Sequence, residues 1–300
     1  MTYSIVGHDR ETGEFGLAVA TKFLAVGSGV PWVNEHGAVA VQAVAHPPNG
    51  RMAQALLAAG EHPVSIVGKL TDPMLDADAD TRQLGIVDSS GRVATFTGDR
   101  NGDWAGGATG LGYAAQGNML ATSECIPAMA GYFSDNASQW LPLRLARALL
   151  AGEQAGGDSR GRQSAALMVY RPGSSQPIYN YRNVDLRVDD NPNPCVELIR
   201  LLGVYLRIFG ETKSEDYLLW NETIVSEVQA LLTSIGEYDD VCNGELTVST
   251  RAALQSFCYK ENFLFRRSQR TPDGKVDPAV LARLRELALP ASNTSSFQGD

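Results

Sequence analysis

Short apolar runs dominate the first two hundred residues. Residues 3–6, 15–23 and 37–45 are Val/Ala-rich, close together and apolar on both faces. That pattern predicts three strands in a sheet covered on both sides. Asp9-Arg10-Glu11-Thr12-Gly13-Glu14 separates the first two as a tight turn. Helical periodicity then takes over at 51–59 and 64–70, with Gly60 closing the first helix and Pro63 opening the second. Residues 83–87 and 93–96 predict a hairpin around Ser89-Ser90-Gly91. A Gly-rich stretch, 102–117, leads into Gln116-Gly117-Asn118. Helices follow at 124–133 and 141–151, then a strand at 164–170, an extended segment at 183–188 and a helix at 194–209 ending at Gly210.

The predicted order is β-β-β, α-α, β-β, α-α, β-β, α. Parallel βαβ units alternate one strand with one helix, and this order does not. Hairpin runs between helix pairs predict an α+β fold, with two antiparallel sheets held between two helical layers. Residues 211–290 lack strand patterns and predict a small all-α domain. Val225, Val228, Leu231, Leu232 and Ile235 recur at helical spacing and stop at Gly236. Ser249 and Thr250 are placed to cap a second helix, and Asp277-Pro278 opens a third. The chain thus reads as a domain over 1–210, a helical domain over 211–290 and a polar, disordered tail over 291–300.

Charge and cysteine content narrow the function classes. The net charge of −9 and the lack of a basic stripe speak against nucleic acid as a partner. The densest basic spot, Arg266, Arg267 and Arg270, reads as a solvated face. No 18-residue apolar window predicts a membrane span. The four cysteines lack the spacing of a zinc site or a disulfide framework, which points to a reducing compartment. Together with the absence of a secretory pattern at the start, this makes a cytoplasmic location the expectation. Asp76, Asp78 and Asp80 imitate a calcium loop, but Thr81 and Val87 stand where its glycine and glutamate belong. His8, His36, His46 and His62 lack metal-ligand spacing. Neither a metal nor a cofactor is expected.

The candidate chemistry lies in the opening Met1-Thr2-Tyr3-Ser4-Ile5-Val6. Thr2 is small enough for Met1 to be trimmed before it. A terminal threonine then carries a nucleophilic hydroxyl and a free amine as its own base. The predicted hairpin brings Lys22 back beside Thr2, within about 6 Å. A cation there lowers the pKa of the amine and makes it a usable base. The plain alternative is an ordinary threonine after the initiator methionine.

Several stretches together resemble a known family. They are Thr2-Tyr3-Ser4-Ile5-Val6, Ala20-Thr21-Lys22-Phe23-Leu24, Arg82-Gln83-Leu84-Gly85-Ile86-Val87-Asp88, Gln116-Gly117-Asn118-Met119-Leu120, Gly156-Gly157-Asp158-Ser159-Arg160-Gly161-Arg162 and Val184-Asp185-Leu186-Arg187-Val188-Asp189-Asp190. Over roughly residues 1–208 they resemble an uncharacterised bacterial family, a domain of unknown function with an N-terminal-nucleophile (Ntn) hydrolase-like fold. The resemblance implies a four-layer α-β-β-α sandwich. In the wider Ntn class a mature N-terminal threonine works beside a lysine on a neighbouring strand, and Thr2 and Lys22 fit those roles. Residues 225–232 and 249–257 resemble a peptidoglycan-binding module, which implies a cell-wall fragment as a partner.

Other residues carry two readings each. Asn118, after Gly117, is either a turn asparagine or an oxyanion donor. Asp158 and Arg160 either close a loop by an ion pair or clamp a substrate. Alternation puts Asp185, Arg187 and Asp189 on one side of a strand, where an ion-pair network is favoured over a substrate contact. His46 is a further substrate-contact candidate. The expected function is hydrolysis of a small amide or amide-like substrate by Thr2, supported by Lys22 and Asn118. The alternative is a non-catalytic binding protein on the same scaffold. Its helical module would then serve as a glycan tether or an oligomer contact, and a homo-oligomer is expected.

Overall fold

The computed structural model describes residues 1–173, 183–266 and 271–289. Two compact units divide the chain, Met1–Leu202 and Gly203–Asp300. The proposed tail at 291–300, Arg267 and Arg270 lie outside the described residues.

The first unit is mixed α/β, and its named strands pair antiparallel. It begins with β1 (Thr2–His8) and β2 (Phe15–Thr21). Asp9 makes the turn between them: its carboxylate accepts from the backbone N–H of Glu11 at 2.8 Å and of Thr12 at 3.0 Å. Gly13 supplies the positive φ, 70°, that a side chain would resist. Next come β3 (Pro31–Asn34), β4 (Gly37–Ala43), α1 (Pro47–Ala58), α2 (Pro63–Leu70), β5 (Arg82–Asp88) and β6 (Val93–Thr97). The unit continues with β7 (Gly106–Gly110), β8 (Tyr113–Asn118), α3 (Cys125–Asp135), α4 (Leu141–Gln154), β9 (Ser164–Tyr170) and β10 (Val184–Val188). The helix α5 (Pro194–Phe209) spans the division point in sequence.

One sheet has six strands in the order β10-β9-β2-β1-β8-β7, and the other has four in the order β3-β4-β5-β6. Strand alternation decides which side chains meet. Val6, Phe15, Leu17 and Val19 of the larger sheet pack with Val33, Ala38, Ala40 and Val87 of the smaller in one buried cluster. Their neighbours Val39, Val41, Leu84 and Ile86 point the other way and pack with Ala53, Leu57, Ile66 and Leu70 of α1 and α2. On the larger sheet, α3 and α4 pack against β1, β2 and β8. The repeat Leu141, Leu145, Leu149 buries one face of α4 completely, and each such leucine contributes about 1.5–3 kcal/mol.

The observed order differs from the prediction in two places. Four strands precede the first helix pair, because residues 31–34 form an edge strand that opens with Pro31. Four strands also precede the second pair, because the Gly-rich stretch contains β7 and β8. Tyr113-Ala114-Ala115-Gln116-Gly117-Asn118 has little of the β-branched signature of a strand, yet it lies buried between β1 and β7.

The second unit contains α6 (Glu222–Ser234), α7 (Val248–Lys260) and α8 (Pro278–Ala288). It is not purely helical: β11 (Leu218–Leu219) pairs with β12 (Lys275–Val276). Val228, Leu232, Phe257, Val280, Leu281 and Leu284 share its core. Asn221, Thr247 and Asp277 cap the three helices with side-chain oxygens. The second cap is thus Thr247, two residues before the predicted one. Arg266 is not a solvated residue: it is buried, with Nε on Asp277 Oδ2 at 3.0 Å and Nη1 on the Arg207 carbonyl oxygen at 2.8 Å.

The closest strand approach generates a test. A Cβ on Gly16 lies 2.2 Å from the Met168 carbonyl oxygen and 2.8 Å from Val169 Cα, so β2 and β9 must separate to admit it. Gly16→Ala is expected to destabilise the protein by about 1–3 kcal/mol. Thermal unfolding checks this, and an unchanged midpoint would show that the strands separate freely there.

Candidate active site

Register brings several of the predicted groups to the end of β1 where the chain begins. The β1–β2 pair Tyr3↔Ala20 continues to Thr2 opposite Thr21, whose hydroxyls lie 3.3 Å apart. On the other side Thr2 pairs with Asn118 of β8. Lys22 is one step further along, and a step of one residue reverses the face. Its ammonium is exposed and donates to the Arg162 carbonyl oxygen at 3.1 Å. The register therefore gives the place predicted for Lys22 to Thr21.

The cation at this end is Arg160. Its Nη2 lies 3.4 Å from the Met1 carbonyl oxygen. Asp158 positions it, with Oδ2 accepting from Nη2 at 3.1 Å and Oδ1 from the Arg160 backbone N–H at 2.9 Å. The same Oδ2 accepts from the Lys22 backbone N–H at 2.7 Å. Asp158 is buried. Burial alone raises its carboxyl pKa, but the hydrogen bonds from Arg160 and Lys22 outweigh it and hold the carboxyl below its ordinary value.

The Met1 carbonyl oxygen gathers three donors. They are Thr2 Oγ1 at 2.5 Å, Thr21 Oγ1, and Arg160 Nη2. Burial lowers the pKa of the Met1 amine, and the Arg160 guanidinium lowers it further against a smaller opposing effect of Asp158. A cavity of about 270 Å³ opens over these groups. Phe23, Leu24, Val26, Val30, Ala43 and Gln42 line it together with Thr2, Thr21 and Arg160.

Beneath Thr2, side-chain amides cross from one sheet to the other. Gln83 Oε1 accepts from Gln42 Nε2 and from Asn118 Nδ2, both at 2.7 Å. Those same nitrogens donate to the Thr2 carbonyl oxygen at 3.4 and 3.3 Å. Gln83 Nε2 donates to Thr97 Oγ1 at 2.8 Å and to the Gly117 carbonyl oxygen at 2.7 Å. Ser4 continues the chain, accepting from Gln116 and donating to Gln42, both at 2.6 Å. Asn118 thus reaches Thr2, but its amide grips the backbone carbonyl of Thr2, and Asn118 is not among the residues lining the cavity.

Backbone strain marks the same place. Ala25 (φ 54°) and Ala43 (φ 69°) line the cavity, and Met119 (φ 49°) follows Asn118. Each left-handed non-glycine residue costs on the order of 1–3 kcal/mol, and such residues gather at functional sites.

The structure therefore brings Thr2, Asn118, Asp158 and Arg160 together. His46 precedes α1 and its Nδ1 lies 3.0 Å from Asn49 Oδ1, outside the cavity lining. Asp185 lines a different cavity with Arg187, and Arg187 pairs with Asp189 at 3.0 Å. Sequence reasoning missed Thr21, Gln42 and Gln83. A glutamine inside an apolar strand, as in Val39-Ala40-Val41-Gln42-Ala43, was the available signal.

The sequence matches the family described as "Family of unknown function (DUF1028)" over residues 2–198. The crystal structure of protein SPO2555 from Silicibacter pomeroyi, matched to the same family, is similar to this chain at 35% identity. The match covers 68% of this chain and 89% of that one, with a TM-score of 0.61. No curated protein matches the chain.

Removing the central amide tests whether the network holds this end together. Gln83→Leu leaves the Gln42 and Asn118 amides each short of one acceptor. A buried unsatisfied group costs about 1–3 kcal/mol, so a loss of at least about 2 kcal/mol is expected in urea unfolding. Wild-type stability in Gln83→Leu would show that the amides find other partners.

Proposed function

We propose a function from this chain's own residues, because the family it belongs to, DUF1028, is one of unknown function. The function is hydrolysis of a small amide by Thr2, in a chain from which Met1 has been removed. The fold is read accordingly as a four-layer α-β-β-α sandwich of the Ntn hydrolase type. The packing of helices on the outer faces of two facing sheets supports it.

One observation supports this most. The amine at this terminus is held below its ordinary value, by burial and then by the Arg160 guanidinium. With Thr2 at the terminus, the same surroundings would favour the neutral form of its amine, the form that acts as a base. The Thr2 hydroxyl attacks the substrate carbonyl carbon and a C–O bond forms. The amine takes the hydroxyl proton and passes it to the leaving nitrogen as the C–N bond breaks. Water then hydrolyses the resulting ester, and the amine again carries the proton. Arg160 takes the electrostatic role that the resemblance gave to Lys22. Gln42, Asn118 and Gln83 position Thr2 through its carbonyl oxygen.

Intact mass is the first check: the purified chain should lack one methionine. Thr2→Ala should abolish turnover of any amide the parent cleaves, with a stability change of about 1 kcal/mol at most. Because the neutral amine is the active form, kcat/KM should fall as pH drops through the depressed amine pKa. Arg160→Gln removes a lowering charge, so the acid limb should move to higher pH. An unmoved limb, or turnover by Thr2→Ala, would overturn the mechanism.

The second unit is proposed as a tether for a cell-wall fragment. A cavity of about 330 Å³ lined by Trp220, Arg251, Gln255 and Lys275 supports it, since an aromatic face with polar neighbours suits a sugar. The full chain should be retained on purified cell wall and released by soluble wall fragments; free passage would remove the tether.

A further inference from the structure

The Met1 carbonyl oxygen shows what the cavity floor is built to hold. Its donors are two threonine hydroxyls and one guanidinium nitrogen, converging on a single oxygen. Two of the three, Thr21 Oγ1 and Arg160 Nη2, belong to loops and strands far from Met1 in sequence. They stay when Met1 leaves. Asp158 fixes both, since its Oδ2 also accepts from Thr21 Oγ1 at 3.4 Å.

Charge decides what kind of oxygen belongs there. Among the described residues, Arg160 is the one charged side chain lining the cavity. Its partner Asp158 is buried, ionised and 3.1 Å away, so the pair is close to neutral. A carboxylate gains little from such a pair and loses its hydration. A neutral carbonyl keeps the hydrogen bonds at a far smaller desolvation cost. The rest of the lining is apolar, and Phe23 and Leu24 at the cavity remain 68% and 58% exposed. Exposed large apolar side chains beside a cavity mark a surface that an apolar group covers. At about 270 Å³ the cavity lies at the small end of ligand pockets.

We infer that the seat of the Met1 carbonyl becomes the acyl-carbonyl site, and that the wall of Phe23, Leu24, Val26 and Val30 takes a short, uncharged aliphatic acyl group. The substrate class is therefore the amide of a short fatty acid, a specification that rests on the hydrolase reading above. Thr21 and Arg160 hold the carbonyl oxygen as charge develops on it.

The test uses the full chain lacking Met1 and a series of acyl p-nitroanilides: acetyl, hexanoyl and glutaryl. Hexanoyl should exceed both others in kcat/KM by about tenfold or more, since single methylenes in an apolar pocket are worth that much. Phe23→Ala, at an exposed position that spares the fold, should reduce the preference for hexanoyl over acetyl. Leu24→Arg should raise glutaryl turnover relative to hexanoyl. Thr21→Val should lower turnover across the series by about 10² without changing the order. Preference for glutaryl in the parent would overturn the acyl assignment and leave the hydrolase standing. A second measurement needs no catalysis: saturation-transfer NMR of hexanamide and of glutarate with the Thr2→Ala protein lacking Met1. Hexanamide binding that Thr21→Val weakens would support the site even if no anilide is cleaved, and it would then be the hydrolase reading that fails. Binding of glutarate alone, or of neither ligand, would overturn the inference.

Discussion

One oxygen, Gln83 Oε1, accepts from an amide of each sheet, and the position of Thr2 depends on it. Gln42 comes from the smaller sheet and Asn118 from the larger. Each then turns its remaining hydrogen to the carbonyl of Thr2. Apolar packing between two sheets is tolerant of small slides, because one methyl contact is much like another. Amides are not tolerant, since a buried donor that loses its acceptor pays its desolvation in full. The network therefore sets the register of one sheet against the other at the end where chemistry is proposed. Further along the sheets, Val6, Leu17 and Val87 need only fill space.

This division explains what was legible in the sequence. Periodicity carried the apolar elements: β1, β2, β4, β5 and β9 all lie within or near the predicted spans, as do α1 to α5. The missed strands lack a long apolar run: β3 has four residues and opens on Pro31, and β7 and β8 lie in the Gly-rich stretch. In β8, Gln116 and Asn118 occupy inward positions where a sequence pattern expects valine, and Gly117 weakens the signal further. Nothing local announces that Gln116 meets Ser4, 112 positions away, or that Asn118 meets Gln83, 35 positions away, so the amides read as loop chemistry. Lys22 failed for a different reason. Proximity in a hairpin is easily inferred, but face depends on register to a single residue. The pairing Tyr3↔Ala20 hands the inward place to Thr21 and turns Lys22 outward.

The cation that acts on the Met1 amine comes from a loop. Arg160 is anchored by Asp158, which is itself anchored by the backbone N–H that follows Thr21. Strand and loop thus share one carboxylate. The planar guanidinium gives Nε and Nη2 to the two oxygens of Asp158, and the same Nη2 also reaches the Met1 carbonyl oxygen. The ion pair also limits the field at the cavity: the nearest group is positive, yet the pair is almost neutral as a whole. The Met1 amine feels the near guanidinium more than the carboxylate behind it.

Strain completes the picture. Ala25 and Ala43 hold left-handed backbones at the cavity wall, and Met119 does so directly after Asn118. Alanine gains nothing from that conformation, so the surrounding contacts must impose it. Ala43 follows Gln42, and Met119 follows Asn118. The two strands that deliver amides to Thr2 therefore both break their extended course one residue later. The left-handed residue turns each chain aside at the point where its amide has been delivered. The network and the strain thus meet at one place: buried amides hold Thr2 by its carbonyl oxygen, and a left-handed residue directly follows each of the two amides that reach it.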